Sequence, residues 1–168
     1  KLPEYDFHPL DHADKIDAVY TYADMSDPVW YKEYKKYMKK EPSTGRHQNH
    51  NELEYSIKCL RLYCPFIDRI FIVTAGPIPA WHDPLDRQIV IIDQNEILGD
   101  ECLKPTFKST SVEAYLHKIP GLSECFMYLN DDYFIGNYLT REMWFQDNLP
   151  VVDMYISKWD FDVPDIHS

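Results

Sequence analysis

Four short apolar runs, separated by stretches with helical periodicity, constrain the fold of this chain more than any other feature. They are IDAVYT (16–21), RIFIVT (69–74), QIVII (88–92) and a run over 124–129. The second and third are too uniformly apolar to expose one face to water, which favours central, parallel strands. The order β-α-β-β-α-β therefore predicts an α/β fold with a mainly parallel, doubly wound sheet of the Rossmann type.

Two longer helices are predicted between these strands. Pro28 stands where it can start a helix over about 28–40, with Asp27 as its N-cap. A second helix is predicted at about 51–64. Its apolar residues recur at helical spacing and form a stripe that should face the core. The stripe consists of Leu53, Ile57, Leu60 and Cys64.

The 168 residues suffice for one domain with a core, and hardly for two. We expect this domain to cover 16–157, between an irregular lead-in at 1–15 and a tail at 158–168. The remaining predicted elements are a loop over 94–108, helices at about 110–118 and 140–147, and a strand at 151–157.

Charge and cysteine content exclude some functions. A net charge of −11 argues against a broad nucleic-acid-binding face. An acidic protein that binds an anionic nucleotide needs a cation or a local basic pocket. No CxxC pair occurs, so core thiols are favoured over a disulfide framework or a zinc site. The cysteines in question are Cys59, Cys64, Cys102 and Cys125.

The ends of the sequence and its hydropathy bear on membrane association. We see no signal peptide and no apolar run of spanning length, so no transmembrane segment is expected in this stretch. The first residue is Lys1 rather than Met, which suggests a piece cut from a longer chain.

Adjacent carboxylates follow the fourth apolar run. In FMYLNDDYFIG (126–136) the strand leads directly into Asn130, Asp131 and Asp132. Like charges this close repel each other unless a cation or a hydrogen-bond network compensates. Because ligands of α/β sheets bind at the carboxyl ends of strands, a divalent cation with a phosphate ligand is the natural partner. The alternative is a solvated turn after an edge strand.

Other polar groups also fall at predicted strand ends, and a parallel order would bring them together. They are Tyr20 and Thr21 with Asp24 and Asp27, Thr74 with Gly76, and Asp93. Arg46, in the loop before the second helix, is either a phosphate clamp or a surface arginine. Glu113 and His117 lie four apart, and form either an oriented general base or an ordinary surface pair.

These segments resemble a known family. IDAVYTYADMSD (16–27) is similar to the opening block of the Stealth family. The stretch from Arg46 through ELEYSIKCLRLYCPFIDRIFIVTAGPIPAW to Trp81 resembles its second block, which PTFKSTSVEAYLHKIPGLSECFMYLNDDYFIG continues to Gly136. Order and spacing are kept over roughly 16–136. The family includes bacterial capsule sugar-phosphate transferases and the eukaryotic N-acetylglucosamine-1-phosphotransferase.

The resemblance implies transfer of a sugar 1-phosphate from a nucleotide-sugar donor, usually UDP-linked, to a hydroxyl of an acceptor glycan, with release of the nucleoside monophosphate. It further implies a nucleotide-sugar fold of the glycosyltransferase A kind that uses Mg²⁺ or Mn²⁺. An ordinary glycosyltransferase of the same fold, or a non-catalytic nucleotide-sugar or glycan binder, stays open as an alternative.

The same resemblance assigns roles to individual positions. The nucleotide pocket would be lined by Asp17, Tyr20, Thr21, Asp24 and Asp27. Arg46 would face the diphosphate, with Asn51 and Glu52 close to it. Asp131 and Asp132 would hold the metal against the donor phosphates, and His117 would handle a proton or contact a sugar.

The chain departs from the family pattern at several positions. The usual residues are replaced by Tyr22, Met25, Asn49, Ala75 and Gln94. Two later family blocks have no visible counterpart in 137–168, so catalysis by this stretch alone is in question. The sequence does not identify the sugar, the acceptor or the oligomeric state. The compartment is either the bacterial cytoplasmic face or the Golgi lumen, and the absence of a disulfide pattern favours the former.

Overall fold

A four-stranded parallel sheet forms the centre of the protein. The structure is a computed structural model that describes residues 15–41, 49–76, 78–100, 104–147 and 149–152. The strands are β1 (Ile16–Tyr22), β2 (Ile67–Thr74), β3 (Ile89–Asp93) and β4 (Cys125–Asn130). Their order is β3-β2-β1-β4, and all three pairings are parallel. The predicted parallel α/β sheet is confirmed, and each of the four apolar runs predicted as its strands lies within two residues of the observed bounds.

Both faces of the sheet are covered, which explains why its strands are apolar throughout. One face packs against α2 (Glu52–Tyr63), whose predicted stripe of Leu53, Ile57, Leu60 and Cys64 is buried in a common cluster with Ala18 and Ile70. The opposite face carries Val19, Phe71 and Val90, which pack against α3 (Gln94–Ile97) and α4 (Ser109–Glu113) through Ile97 and Val112. The sheet is therefore doubly wound.

The first helix begins as its sequence predicts. α1 (Pro28–Met38) has Pro28 in its first turn, and Asp27 Oδ1 accepts a hydrogen bond from the Trp30 backbone N–H at 2.7 Å. Trp30 is the buried residue of this helix. Within the described ranges, no helix combines the length and the apolar character needed to cross a bilayer.

The segment predicted as one helix at 110–118 differs in the structure. α4 ends at Glu113, and a separate 3₁₀ helix covers Leu116–Lys118. The α4 sequence STSVE consists mostly of weak helix formers, so little favours its extension. Pro120 then holds the preceding Ile119 in an extended conformation with ψ 122°. Glu113 and His117 therefore do not share one helical face.

Smaller differences concern short elements. The predicted loop over 94–108 contains α3, which Asp93 caps by accepting from the Asn95 N–H at 2.8 Å. Four residues are too few to show a helical period in the sequence. After β4, the structure has α5 (Arg141–Trp144) and a two-residue pair, β5 (Phe145–Gln146) with β6 (Leu149–Pro150).

Several predictions fall partly or wholly outside the described residues. The strand predicted at 151–157 is absent at 151 and 152, and its remainder lies outside. So do Arg46, Cys102, the tail at 158–168 and all but the last residue of the lead-in. Cys64 and Cys125 are buried and outside any disulfide between described residues, as predicted for core cysteines, whereas Cys59 is half-buried.

Candidate functional site

A cavity of about 560 Å³ opens at the carboxyl ends of the strands. From β1 the chain proceeds to β2 and β3 on one side, whereas β4 lies on the other side of β1. The order thus reverses between β1 and β4, where the crevice of open α/β sheets receives ligands. Thr21 and Asn130 are register partners at the ends of these two strands, and both line the cavity.

Among the residues that the structure describes, three carboxylates line this cavity. Asp131 and Asp132 come from the turn after β4, and Glu52 comes from the first residue of α2. Burial, followed by the negative charge of Asp132 and a smaller contribution from Glu52, raises the pKa of Asp131 to about 6. The local charge is therefore unfavourable without a positive partner, which is the situation that the sequence predicted for this turn.

The donor set suits a divalent cation that also binds a ligand. Among the described residues, no group of three or more His, Cys, Asp or Glu side chains is already arranged as a metal site. Mg²⁺ rarely requires one, because it is commonly held by one or two carboxylates together with substrate phosphates and water. Asp131 and Asp132, which line an open cavity, fit that pattern.

The loop after β1 is held by a small hydrogen-bond network. Asn49 Nδ2 donates to the Tyr22 hydroxyl at 2.9 Å and to Asp24 Oδ2 at 3.1 Å. Partial burial acts to raise the pKa of Asp24, but hydrogen bonds from the Ser26 hydroxyl and amide and from Asn49 lower it overall. Tyr22 and Asn49 line the cavity, whereas Asp24 does not line it and instead holds Asn49 by a hydrogen bond.

Three of the residues assigned to the nucleotide pocket lie elsewhere. Asp17 is fully buried in an ion pair with Arg69, at the amino half of β1. The Tyr20 hydroxyl is buried against Ser56 Oγ at 2.9 Å. Asp27 caps α1 and lines a neighbouring cavity of about 420 Å³. Thr21 is the residue of the predicted nucleotide set that lines the main cavity.

His117 and Asn51, to which the resemblance also assigned roles, do not line the main cavity either. His117 is exposed on the 3₁₀ helix, with its ring 6.5 Å from that of Tyr115, and it does not line the cavity. Glu113 instead accepts a hydrogen bond from the Tyr128 hydroxyl at 3.1 Å. Asn51, the residue before α2, has a left-handed backbone with φ 63°, and its side chain does not cap the helix.

The cavity has an aromatic wall that the sequence did not reveal. Trp30 and Phe107 both line it, with ring centroids 5.5 Å apart in an edge-to-face arrangement. Lys108, next in the chain, is exposed and lines the cavity as well. Phe107 and Lys108 could have been found only from the strand order, since they lie on the connection from β3 to α4, which starts at the carboxyl edge of the sheet.

The all-parallel sheet with helices on both faces, and with a cavity at its order reversal, defines a Rossmann-like α/β protein with a candidate ligand site at the carboxyl edge. The family model described as "Stealth protein CR2, conserved region 2" matches residues 46–152. The chain belongs to the Stealth family.

Curated relatives agree with this assignment. A capsular polysaccharide phosphotransferase of Actinobacillus pleuropneumoniae is 40% identical over 152 residues, which cover 85% of this chain and 40% of the relative. One from Aeromonas hydrophila is 40% identical over 152 residues, 85% of this chain and 41% of the relative. An exopolysaccharide phosphotransferase of Streptomyces coelicolor is 36% identical over 144 residues, 83% of this chain and 25% of the relative. The chain spans less than half the length of each.

Proposed function

We propose that this chain forms the donor-binding part of a metal-dependent sugar-1-phosphate transferase, which takes a nucleotide-sugar and adds its sugar phosphate to a hydroxyl of an acceptor glycan. The observation that carries the proposal is the convergence of Glu52, Asp131 and Asp132 on one cavity at the order reversal. Kinship with capsular and exopolysaccharide phosphotransferases supports the choice of phosphoryl chemistry.

Asp131 and Asp132 are the residues that would hold Mg²⁺ or Mn²⁺. The bound cation supplies charge neutralisation for the donor diphosphate. Glu52 adds negative charge to the same cavity and accepts a hydrogen bond from the His50 backbone N–H at 2.8 Å. Lys108 is the basic residue among the described lining residues, and it can contact a phosphate oxygen as a point charge.

The aromatic wall suits the nucleoside. Trp30 and Phe107 offer flat apolar surfaces, and Gln94, which also lines the cavity, carries an amide held by the Thr106 carbonyl at 3.2 Å. Trp30 follows β1, and Gln94 and Phe107 follow β3, whereas Asp131 and Asp132 follow β4. Three strand spacings separate β3 from β4, roughly 14 Å, which suits an extended nucleotide with its base at one end and its diphosphate at the other.

The test is product analysis with the complete protein. UDP-N-acetylglucosamine, Mn²⁺ and an acceptor oligosaccharide should yield UMP and a phosphodiester signal in ³¹P NMR. Release of UDP would indicate an ordinary glycosyltransferase instead. Asp132→Asn should abolish Mn²⁺-dependent donor binding in calorimetry, whereas Asp100→Asn, an exposed aspartate that does not line the cavity, should bind as the wild type does. Equal affinities in both variants would refute the metal assignment.

A further inference from the structure

A chain of buried hydrogen-bonding groups ends on the turn that carries Asp131 and Asp132. Ser56 Oγ, on α2, donates to the backbone carbonyl of Tyr133, the residue after Asp132. The Tyr20 hydroxyl, on β1, lies 2.9 Å from the same Ser56 oxygen. Tyr20 and Ser56 are fully buried, and neither residue lines the cavity. The chain therefore reaches the site from the protein interior and is not part of its ligand-contacting surface.

The direction of these hydrogen bonds follows from the groups that make them. A carbonyl oxygen can only accept, so the single proton of the Ser56 hydroxyl is used in the bond to Tyr133. Tyr20 must then donate to Ser56 Oγ. Burial raises the pKa of Tyr20 to about 12, so the phenol keeps the proton that this bond requires. Each donor has one acceptor, which gives the chain a single arrangement.

The carbonyl held by Ser56 lies at one end of a tight turn. The Tyr133 backbone N–H donates to the Asn130 carbonyl at 3.1 Å. This bond closes a β-turn in which Asp131 and Asp132 are the two central residues. Asn130 is the last residue of β4, which pairs with β1 along its length. Sheet pairing thus holds the first end of the turn, and Ser56 holds the other.

We propose that Ser56 is a positioning residue for metal binding, which holds the turn so that Asp131 and Asp132 face the cavity together. The inference rests on the proposed transferase function, in which these two carboxylates hold Mg²⁺ or Mn²⁺. Adjacent carboxylates repel each other when no cation is bound, and the repulsion favours opening of the turn. The buried bond to the Tyr133 carbonyl opposes that opening, so the carboxylates are already arranged when the cation arrives.

The place of Ser56 on α2 supports this role. Glu52 lies four residues earlier, on the same face of the helix, and lines the cavity. One face of α2 thus presents a carboxylate to the cavity and, one helical turn further on, a hydroxyl to the turn that carries the other two carboxylates. Loss of the Ser56 hydroxyl removes a direct link between the helix that carries Glu52 and that turn.

The experiment measures Mn²⁺ binding by the complete protein and its variants. Free Mn²⁺ is followed by electron paramagnetic resonance at a fixed concentration of UDP-N-acetylglucosamine. Ser56→Ala should weaken Mn²⁺ affinity by about 10- to 100-fold, the usual effect of losing a group that orients a metal ligand. Tyr20→Phe should weaken it by only about two- to fivefold, because the bond from Ser56 to Tyr133 remains. Ser56→Thr, which keeps the hydroxyl, should stay within about threefold of the wild type.

Two control variants separate positioning from folding. Ser123→Ala removes the hydroxyl of another buried serine, whose Oγ has no hydrogen-bond partner among the described residues, and should bind Mn²⁺ as the wild type does. Leu60→Ala lies one helical turn beyond Ser56 on α2 and removes core packing instead of a hydrogen bond. At a temperature where it stays folded, it should keep the Mn²⁺ affinity of the wild type.

The outcomes distinguish the positioning role from the proposed function. Wild-type Mn²⁺ affinity in Ser56→Ala would overturn the positioning role, as would an equal loss in folded Leu60→Ala. Should Ser56→Ala fail to fold, Ser56→Cys, with only a weak S–H donor, takes its place, and wild-type affinity there would overturn the role as well. If Asp132→Asn binds Mn²⁺ as the wild type does, the metal assignment fails and the positioning role fails with it. If Asp132→Asn loses Mn²⁺ and Ser56→Ala does not, the positioning role alone is wrong.

Discussion

Asp17 and Arg69 form a buried, two-point ion pair at the amino half of the sheet. Arg69 Nε donates to Asp17 Oδ1 at 3.1 Å, and a terminal guanidinium nitrogen donates to Oδ2 at 2.7 Å. The Ser123 backbone N–H adds a bond to Oδ2 at 2.8 Å, and Arg69 also donates to the Gly121 carbonyl. The pair thus ties β1 and β2 to the turn that precedes β4.

This pair predicts a structural role for Asp17 rather than a ligand contact. Asp17→Ala should lower the free energy of unfolding by about 3–5 kcal/mol, because it leaves a guanidinium buried without its partner. Urea denaturation followed by circular dichroism measures the change. At a temperature where the variant stays folded, donor affinity per folded molecule should equal that of the wild type. A stable variant that has lost donor binding would return Asp17 to the nucleotide pocket.

The stripe on α2 allows a test of the fold. Leu60 is fully buried between this helix and the sheet, whereas Leu62, two residues later, is 66% exposed. Leu60→Ala should cost about 2–5 kcal/mol of stability, from lost burial and the cavity that it leaves. Leu62→Ala should change stability by less than about 0.5 kcal/mol. Equal costs in urea denaturation would contradict the packing of α2 on the sheet.

Burial of Asp131 and its repulsion by Asp132 predict that the ionised carboxylate lowers the stability of the metal-free protein. The folded pKa of Asp131, about 6, lies above its ordinary value of 3.8. The folded state therefore holds this proton more tightly, so the stability that protonated Asp131 supports is present at low pH and is lost as pH rises through about 6. Without added metal, Asp131→Asn should be more stable than the wild type by about 1–2 kcal/mol at pH 7.5.

Thermal unfolding in EDTA at two pH values measures this effect. The advantage of Asp131→Asn over the wild type should shrink between pH 7.5 and pH 4.5, since the wild-type carboxyl is then largely protonated. Asp100→Asn, at an exposed position outside the cavity, should show no such pH-dependent difference. An asparagine variant that is less stable at pH 7.5 would show that Asp131 is already compensated.

The sequence predicted the sheet well because its signal is local. Uniform apolar runs such as RIFIVT favour strands covered on both faces, and strands of this kind are typical of parallel sheets. The shared location of Thr21 and Asp131 could likewise be predicted from the sequence, since parallel order brings the carboxyl ends of the strands to one edge of the sheet. The contribution of Glu52 to the same cavity depends on where α2 begins, and only the family resemblance predicted that Glu52 belongs to the site.

The misplaced residues have a common physical cause. Asp17 and Tyr20 belong to the strand that also carries Thr21, but they occupy positions within the sheet, where neighbouring elements bury them. Polar type alone does not distinguish an end position from an interior one that has a partner 52 residues away, as Asp17 has in Arg69. The partnership of Glu113 with Tyr128 is similarly non-local, and the four-residue spacing to His117 concealed it.

The contact between Tyr22 and Asn49 predicts a modest effect on donor binding. Burial, followed by the charge of Asp24, raises the pKa of Tyr22 to about 12, so its hydroxyl stays neutral and accepts from Asn49. Tyr22→Phe should weaken donor affinity by about 0.5–1.5 kcal/mol, since it frees Asn49 at the cavity wall. Calorimetry with UDP-N-acetylglucosamine and Mn²⁺ tests this, with Tyr37→Phe, at an exposed tyrosine on α1, as the control. Unchanged affinity would limit Asn49 to a structural role.

Lys108 and Arg46 offer a comparison of two basic candidates for the donor diphosphate. Lys108 lines the cavity, and Arg46 stays a prediction from the sequence because it lies outside the described residues. Lys108→Gln should weaken donor binding about tenfold, the scale of a single charged hydrogen bond, and Arg46→Lys by roughly 1–3 kcal/mol. Lys40→Gln, at an exposed lysine beyond α1, is the control.

Raising the salt concentration should weaken donor binding by the wild type more than donor binding by Lys108→Gln, because screening removes the interaction that the variant already lacks. Equal salt dependence would place Lys108 outside the phosphate contact.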